Sequence, residues 1–186
     1  KIDLTPDQIS RCINAAGVGF MFAPAHHSSM KHVGPSRVEL GTRTAFNLLG
    51  PLTNPAHAPA QAIGCADLRA APVMAGVFAA RGVDAWVFRG DDGLDELTTT
   101  TTSRLWRVHG GRVTESTVDP ADLGVPRGTT AGLRGGDAAH NAEVVHRLLD
   151  GERGPVRDAV LLNAGAALAV HADPGGEPMT ALAEGL

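Results

Sequence analysis

The chain has 186 residues, 43% of them hydrophobic and 19% charged, with a formal net charge of -4. That length suffices for one domain with a real core, while the negative balance lacks the basic face that nucleic-acid binding needs. No apolar run approaches the ~20 residues of a membrane span, and no signal peptide is visible. Cys12 and Cys65 sit in apolar surroundings without metal-ligand spacing, which fits reduced thiols in a cytoplasmic protein. The first residue is Lys1 rather than Met, which suggests a piece of a longer polypeptide.

The first predicted element is a helix. Thr5 is a natural cap, Pro6 suits the first turn and Gln8 closes a capping box, so the helix runs to Ala16 and stops at Gly17. Val18 to Ala23 reads as a short buried strand ending at Pro24. Short helices fit Ser28 to Leu40 and Ala45 to Leu49, interrupted by Gly34, Pro35 and Gly41. A strand at Ala60 to Cys65, a helix at Ala71 to Arg81 carrying Met74, Val77 and Phe78 on one face, and a strand at Ala85 to Phe88 follow. This strand-helix-strand rhythm predicts an α/β fold with a central, mostly parallel sheet flanked by helices. Thr98 to Thr102 reads as a β-prone edge or loop. Gly110 and Gly111 join Arg104–His109 to Arg112–Val118 in a hairpin. Asp137 caps a helix through Leu149, and another fits Val156 to His171. No linker or repeat divides the chain, so residues 1–186 read as one α/β domain.

Asp91, Asp92, Asp95 and Glu96 fall just beyond a predicted strand, where ligands of open α/β sheets gather. Carboxylates crowded there repel one another unless a cation neutralises them. A magnesium ion would use one or two of them, with waters and substrate phosphates completing its shell. The same residues also suit a solvated turn, and spacing leaves both readings open. His26, His27 and His32 have no cysteine or carboxylate at ligand spacing, and His27 and His32 would lie on different helix faces, which argues against zinc. Arg37 and Arg43 offer rigid forks of donors for a carboxylate or phosphate, or a partner for an acid such as Glu39. Asn47 to Pro55 would make either a stiff loop that approaches a ligand or a helix-ending turn. Gly135 and Gly136 look like part of a phosphate loop, but Asp137 would repel phosphate, so that segment is structural.

These segments together resemble the anthranilate phosphoribosyltransferase family. The resemblance is carried by Phe22-Ala-Pro24, His27, Arg37 through Gly41, Phe46-Asn-Leu-Leu-Gly-Pro-Leu-Thr-Asn-Pro55, Asp92-Gly-Leu-Asp-Glu96 and Leu161-Leu-Asn-Ala164. It implies the nucleoside phosphorylase/phosphoribosyltransferase catalytic fold and transfer of phosphoribosyl from phosphoribosyl pyrophosphate to anthranilate in tryptophan biosynthesis. It further implies that Arg37 contacts the anthranilate carboxylate, that His27 and Pro24 line the acceptor site, and that Asp95 and Glu96 bind Mg2+. A pyrimidine nucleoside phosphorylase is the alternative enzyme, and a non-catalytic nucleic-acid-binding relative the alternative of another class.

The sequence departs from the family pattern at Ser28, where proline is usual, and at Arg89, where histidine is common. The family's Gly-Thr-Gly-Gly-Asp phosphate loop and Lys-His-Gly-Asn-Arg segment do not occur here. The resemblance therefore implies that residues 1–186 are a partial α/β catalytic domain, a C-terminal portion without the small N-terminal helical domain and the first part of the α/β domain, and inactive by itself. The complete protein is expected to be a cytoplasmic homodimer.

Overall fold

The computed structural model describes residues 2–27, 32–42 and 44–186. Ser28 and Arg43 lie outside them. The chain divides into two compact units, Lys1–His57 and Ala58–Leu186, where composition showed no boundary. The first unit is helical and the second holds the sheet.

In the first unit, α1 spans Pro6–Ala16 with the expected capping box, and Gly17 closes it at φ 75. The predicted strand at Val18 to Ala23 is not a strand. Strands need a ladder partner, and the described residues of this unit offer none. The chain instead turns back along α1, where a Cβ on Gly19 would come within 2.7 Å of the Ile13 side chain. Among the described residues, three short α-helices follow: α2 (Ala23–His26), α3 (Gly34–Leu40) and α4 (Phe46–Leu52). Pro24 and Pro35 occupy first turns, where their missing N–H costs nothing. Asn47 accepts a hydrogen bond from the Thr44 N–H at 2.9 Å, starting α4.

The second unit is built on four strands in the order β1-β2-β3-β4: β1 (Ala60–Gly64), β2 (Asp84–Gly90), β3 (Ser103–His109) and β4 (Arg112–Val118). α5 (Ala70–Arg81) crosses between β1 and β2, which are parallel, as the strand-helix-strand pattern required. The α/β class therefore holds, but the sheet is mixed rather than mostly parallel, since both later pairings are antiparallel. The physical reason is the connections. A parallel return needs a crossover, whereas residues 91–102 form a loop without a helix, and Gly110 and Gly111, at φ 57 and 74, make a tight hairpin.

Side chains alternate across β2, so Trp86 and Phe88 face one side and Ala85 and Val87 the other. Trp86 and Phe88 join a core with Leu97, Leu105, Leu162, Val170 and Leu182. Leu162 and Val170 come from α7 (Pro155–Ala172), and Leu182 from α8 (Pro178–Gly185), which was not foreseen from the sequence. α6 (Ala138–Leu149) has Asp137 as its cap, accepting from the His140 N–H at 2.9 Å. No helix among the described residues is long and apolar enough to cross a membrane.

Candidate functional site

β2 delivers the chain into an acidic loop whose four carboxylates have two different fates. The first two are used internally. Asp92 accepts from the Leu94 N–H at 3.1 Å, from the Thr98 hydroxyl at 2.6 Å and from the Thr100 hydroxyl; Asp91 accepts from Thr102. Partial burial would raise the Asp92 pKa, but the hydrogen bonds from Thr100, Thr98 and Leu94 outweigh it and hold it below the usual carboxylate value. The threonine run that reads as a bland edge is thus the donor set that folds this loop. Its signal was present, hydroxyls following acids, but the partners are chosen only by the turn at Gly93, whose φ of 99 suits glycine.

The other two carboxylates are uncompensated. Asp95 and Glu96 are exposed and accept no hydrogen bond among the described residues. Desolvation, and then the adjacent Asp95 charge, raise the Glu96 pKa. Adjacent acids with no internal donors are a donor set that suits a hard divalent cation. Among the described residues no three His, Cys, Asp or Glu side chains converge, so the protein would supply two ligands and leave the rest to water and a phosphorylated substrate.

The backbone around this pair is closely held. A Cβ on Gly64, the last residue of β1, would lie 1.5 Å from the Asp95 carbonyl oxygen, so only glycine admits the loop at that strand end. On the other side Asn163 of α7 accepts from the Leu97 N–H and donates to the Leu97 carbonyl, each at 2.9 Å. Gly64, Phe88, Asp95, Glu96, Leu133 and Asn163 line a cleft of about 740 Å³ in this unit. Gly64 was not singled out by sequence reasoning, because close backbone approach is invisible without the partner loop. Arg89, the departure from the usual histidine, donates from Nε to the Ala66 carbonyl at 2.8 Å and from Nη1 to the Gly90 carbonyl at 3.0 Å, stapling the end of β2.

The residues expected to receive an acceptor lie in the first unit. Pro24 is in the first turn of α2, and His27 follows that helix, its N–H donating to the Ala23 carbonyl at 2.8 Å. Arg37 is a half-buried residue of α3. Among the described residues, no ion pair joins it to Glu39 or to another acid.

An adjacent carboxylate pair in the loop after a strand of an α/β sheet has the chemistry to meet a phosphorylated ligand through a divalent cation. The chain belongs to the glycosyl transferase family, a/b domain, whose family model matches residues 1–181. It is 66% identical over 186 residues to the anthranilate phosphoribosyltransferase of a Nocardioides species, covering all of this chain and 54% of that protein. It is 57% identical to the Salinispora arenicola protein of the same name, over 100% of this chain and 52% of that one. The chain thus spans about half the length of these curated relatives. The crystal structure of anthranilate phosphoribosyltransferase from Thermus thermophilus superposes with a TM-score of 0.85 at 37% identity, covering 100% of this chain and 56% of that chain. The Saccharomyces cerevisiae enzyme in complex with PRPP and Mg matches with a TM-score of 0.82 at 23% identity, over 98% of this chain and 51% of that one, a likeness of fold.

Proposed function

We propose that the complete protein transfers the phosphoribosyl group of phosphoribosyl pyrophosphate to the amine of anthranilate, in tryptophan biosynthesis. The observation that carries this reading is the 66% identity to an anthranilate phosphoribosyltransferase along the entire chain. In the transfer, the bond from the anomeric carbon to pyrophosphate breaks, a carbon–nitrogen bond to the anthranilate amine forms, and the amine loses a proton. The aromatic amine is nucleophilic when neutral, so no strong general base is required.

Arg37 orients anthranilate by pairing with its carboxylate, with His27 and Pro24 beside it. Asp95 and Glu96 would hold Mg2+, which when bound would supply positive charge to offset that of the pyrophosphate. That Asp95, Glu96 and Arg37 form no side-chain ion pair among the described residues supports these roles. Both units belong to one α/β catalytic domain in this reading, and the complete protein is a cytoplasmic homodimer without nucleic-acid or membrane partners. The relatives reported above favour this activity over a pyrimidine nucleoside phosphorylase.

The test is the loss of anthranilate fluorescence on adding phosphoribosyl pyrophosphate and magnesium to protein expressed from the complete reading frame. Magnesium-dependent loss is expected. Folded, complete protein that leaves the fluorescence unchanged, yet releases thymine from thymidine with phosphate, would move the function to the phosphorylases.

A further inference from the structure

We propose that Asn163 is a positioning residue for the Asp95–Glu96 metal pair, an inference that rests on the metal reading above. Sixty-six residues separate Asn163 from Leu97, yet its carboxamide satisfies both backbone groups of that residue. Oδ1 accepts from the Leu97 N–H at 2.9 Å, and Nδ2 donates to the Leu97 carbonyl at 2.9 Å and to the Ala159 carbonyl at 3.0 Å. The bond to Ala159, one turn earlier on α7, orients the carboxamide from its own helix. Aspartate lacks the Nδ2 donor, and glutamine is one methylene too long to keep the same grip from the same helix position.

The consequence falls on Glu96. Its C-terminal neighbour Leu97 is gripped by Asn163, and its N-terminal neighbour Asp95 abuts Gly64 through its carbonyl oxygen. The Leu97 side chain is itself in the core. The backbone is therefore held on both sides of Glu96, while neither carboxylate has a side-chain hydrogen bond among the described residues. Two neighbouring carboxylates in an unrestrained loop relieve their repulsion by backbone rotation and drift apart. Restraining Leu97 opposes that drift, so the pair meets a cation already arranged. Asn163 also lines the cleft that contains both carboxylates.

The experiment uses protein from the complete reading frame with Asn163→Asp, Asn163→Ala, the double variant Asp95→Asn/Glu96→Gln, and Val170→Ala. Val170 is a buried α7 residue outside this contact, and its truncation controls for general loosening of the helix. Mn2+ binding is titrated with phosphoribosyl pyrophosphate present and no acceptor, and the Mg2+ activation constant and anthranilate KM are measured alongside. Both Asn163 variants are expected to weaken Mn2+ binding and raise the Mg2+ constant about tenfold or more, the usual reach of residues that orient metal ligands. The anthranilate KM should change less than twofold, and Val170→Ala should leave all three values near wild type. Asn163→Asp preserves size and is the informative variant should Asn163→Ala fold poorly. If the double variant raises the Mg2+ constant while both folded Asn163 variants leave it within twofold, the positioning role is overturned and the metal pair stands. If the double variant itself changes nothing, the metal reading falls and this inference falls with it.

Discussion

Gly64→Ala should disturb the loop that carries Asp95 and Glu96 from a residue that has no functional group of its own. The new Cβ would sit 1.5 Å from the Asp95 carbonyl oxygen and 2.5 Å from its carbonyl carbon. Carbon–oxygen contacts relax only near about 3.3 Å, so strand and loop must separate by roughly 1.8 Å. The obstacle is backbone rather than the end of a flexible side chain, and Asn163 restrains the same loop two residues further on. Overpacking of this kind costs about 1–3 kcal/mol of stability, several degrees in Tm. Displacement by an ångström or more at a reacting centre costs about 100-fold in rate. Gly76→Ala is the control: it lies in the middle of α5, and its new Cβ would meet nothing within 4 Å. That change should stabilise by about 0.5–1 kcal/mol through helix propensity and leave activity unchanged. Thermal melts and magnesium titrations of both variants, in protein from the complete reading frame, read the contrast. A Gly64→Ala protein with wild-type Tm and wild-type magnesium requirement would refute the close-approach argument.

Three further outcomes are expected. Arg37→Ala should raise the anthranilate KM at least tenfold, from loss of a charge-assisted pair worth roughly 1.5–3 kcal/mol, and change that for phosphoribosyl pyrophosphate little; equal effects on both would count against the assignment. Asp92 has a folded-state pKa below its ordinary value, so its ionised form contributes stability above about pH 3.8 that is lost as pH falls through the lower, folded value. Asp92→Asn should therefore be less stable than wild type in denaturant melts at pH 7, with the gap narrowing toward pH 3; a pH-independent gap would show that its charge is irrelevant. Leu162→Ala empties a fully buried position of the core between α7 and the sheet. It should cost about 2–5 kcal/mol, and a loss below 1 kcal/mol in denaturant melts would contradict the packing described.

The sequence by itself determined the elements whose signals are local. The Thr5–Gln8 capping box, the Asp137 cap, the Gly110-Gly111 turn and the strand-helix-strand alternation around α5 each need only a few neighbouring residues, and each is present as read. The acids Asp95 and Glu96 are visible in one line of sequence too, but their spacing leaves a cation site and a solvated turn both open, and their choice as metal ligands rests on the family resemblance. Elsewhere local pattern misled. Val18 to Ala23 has strand-like residues but no partner strand among the described residues of its unit, and the direction of β3 depends on the loop that returns it.

Only the tertiary structure decided which of these acids have partners among the described residues. Asp91 and Asp92 look no different from Asp95 and Glu96 in the chain, and threonines up to 11 positions away separate the two pairs by satisfying only the first. Gly64 and Asn163 acquire their meaning from contacts across 31 and 66 positions. Hydrogen bonds and steric approach act over a few ångströms whatever the separation along the chain, so a site assembled by them becomes visible only when the chain is folded.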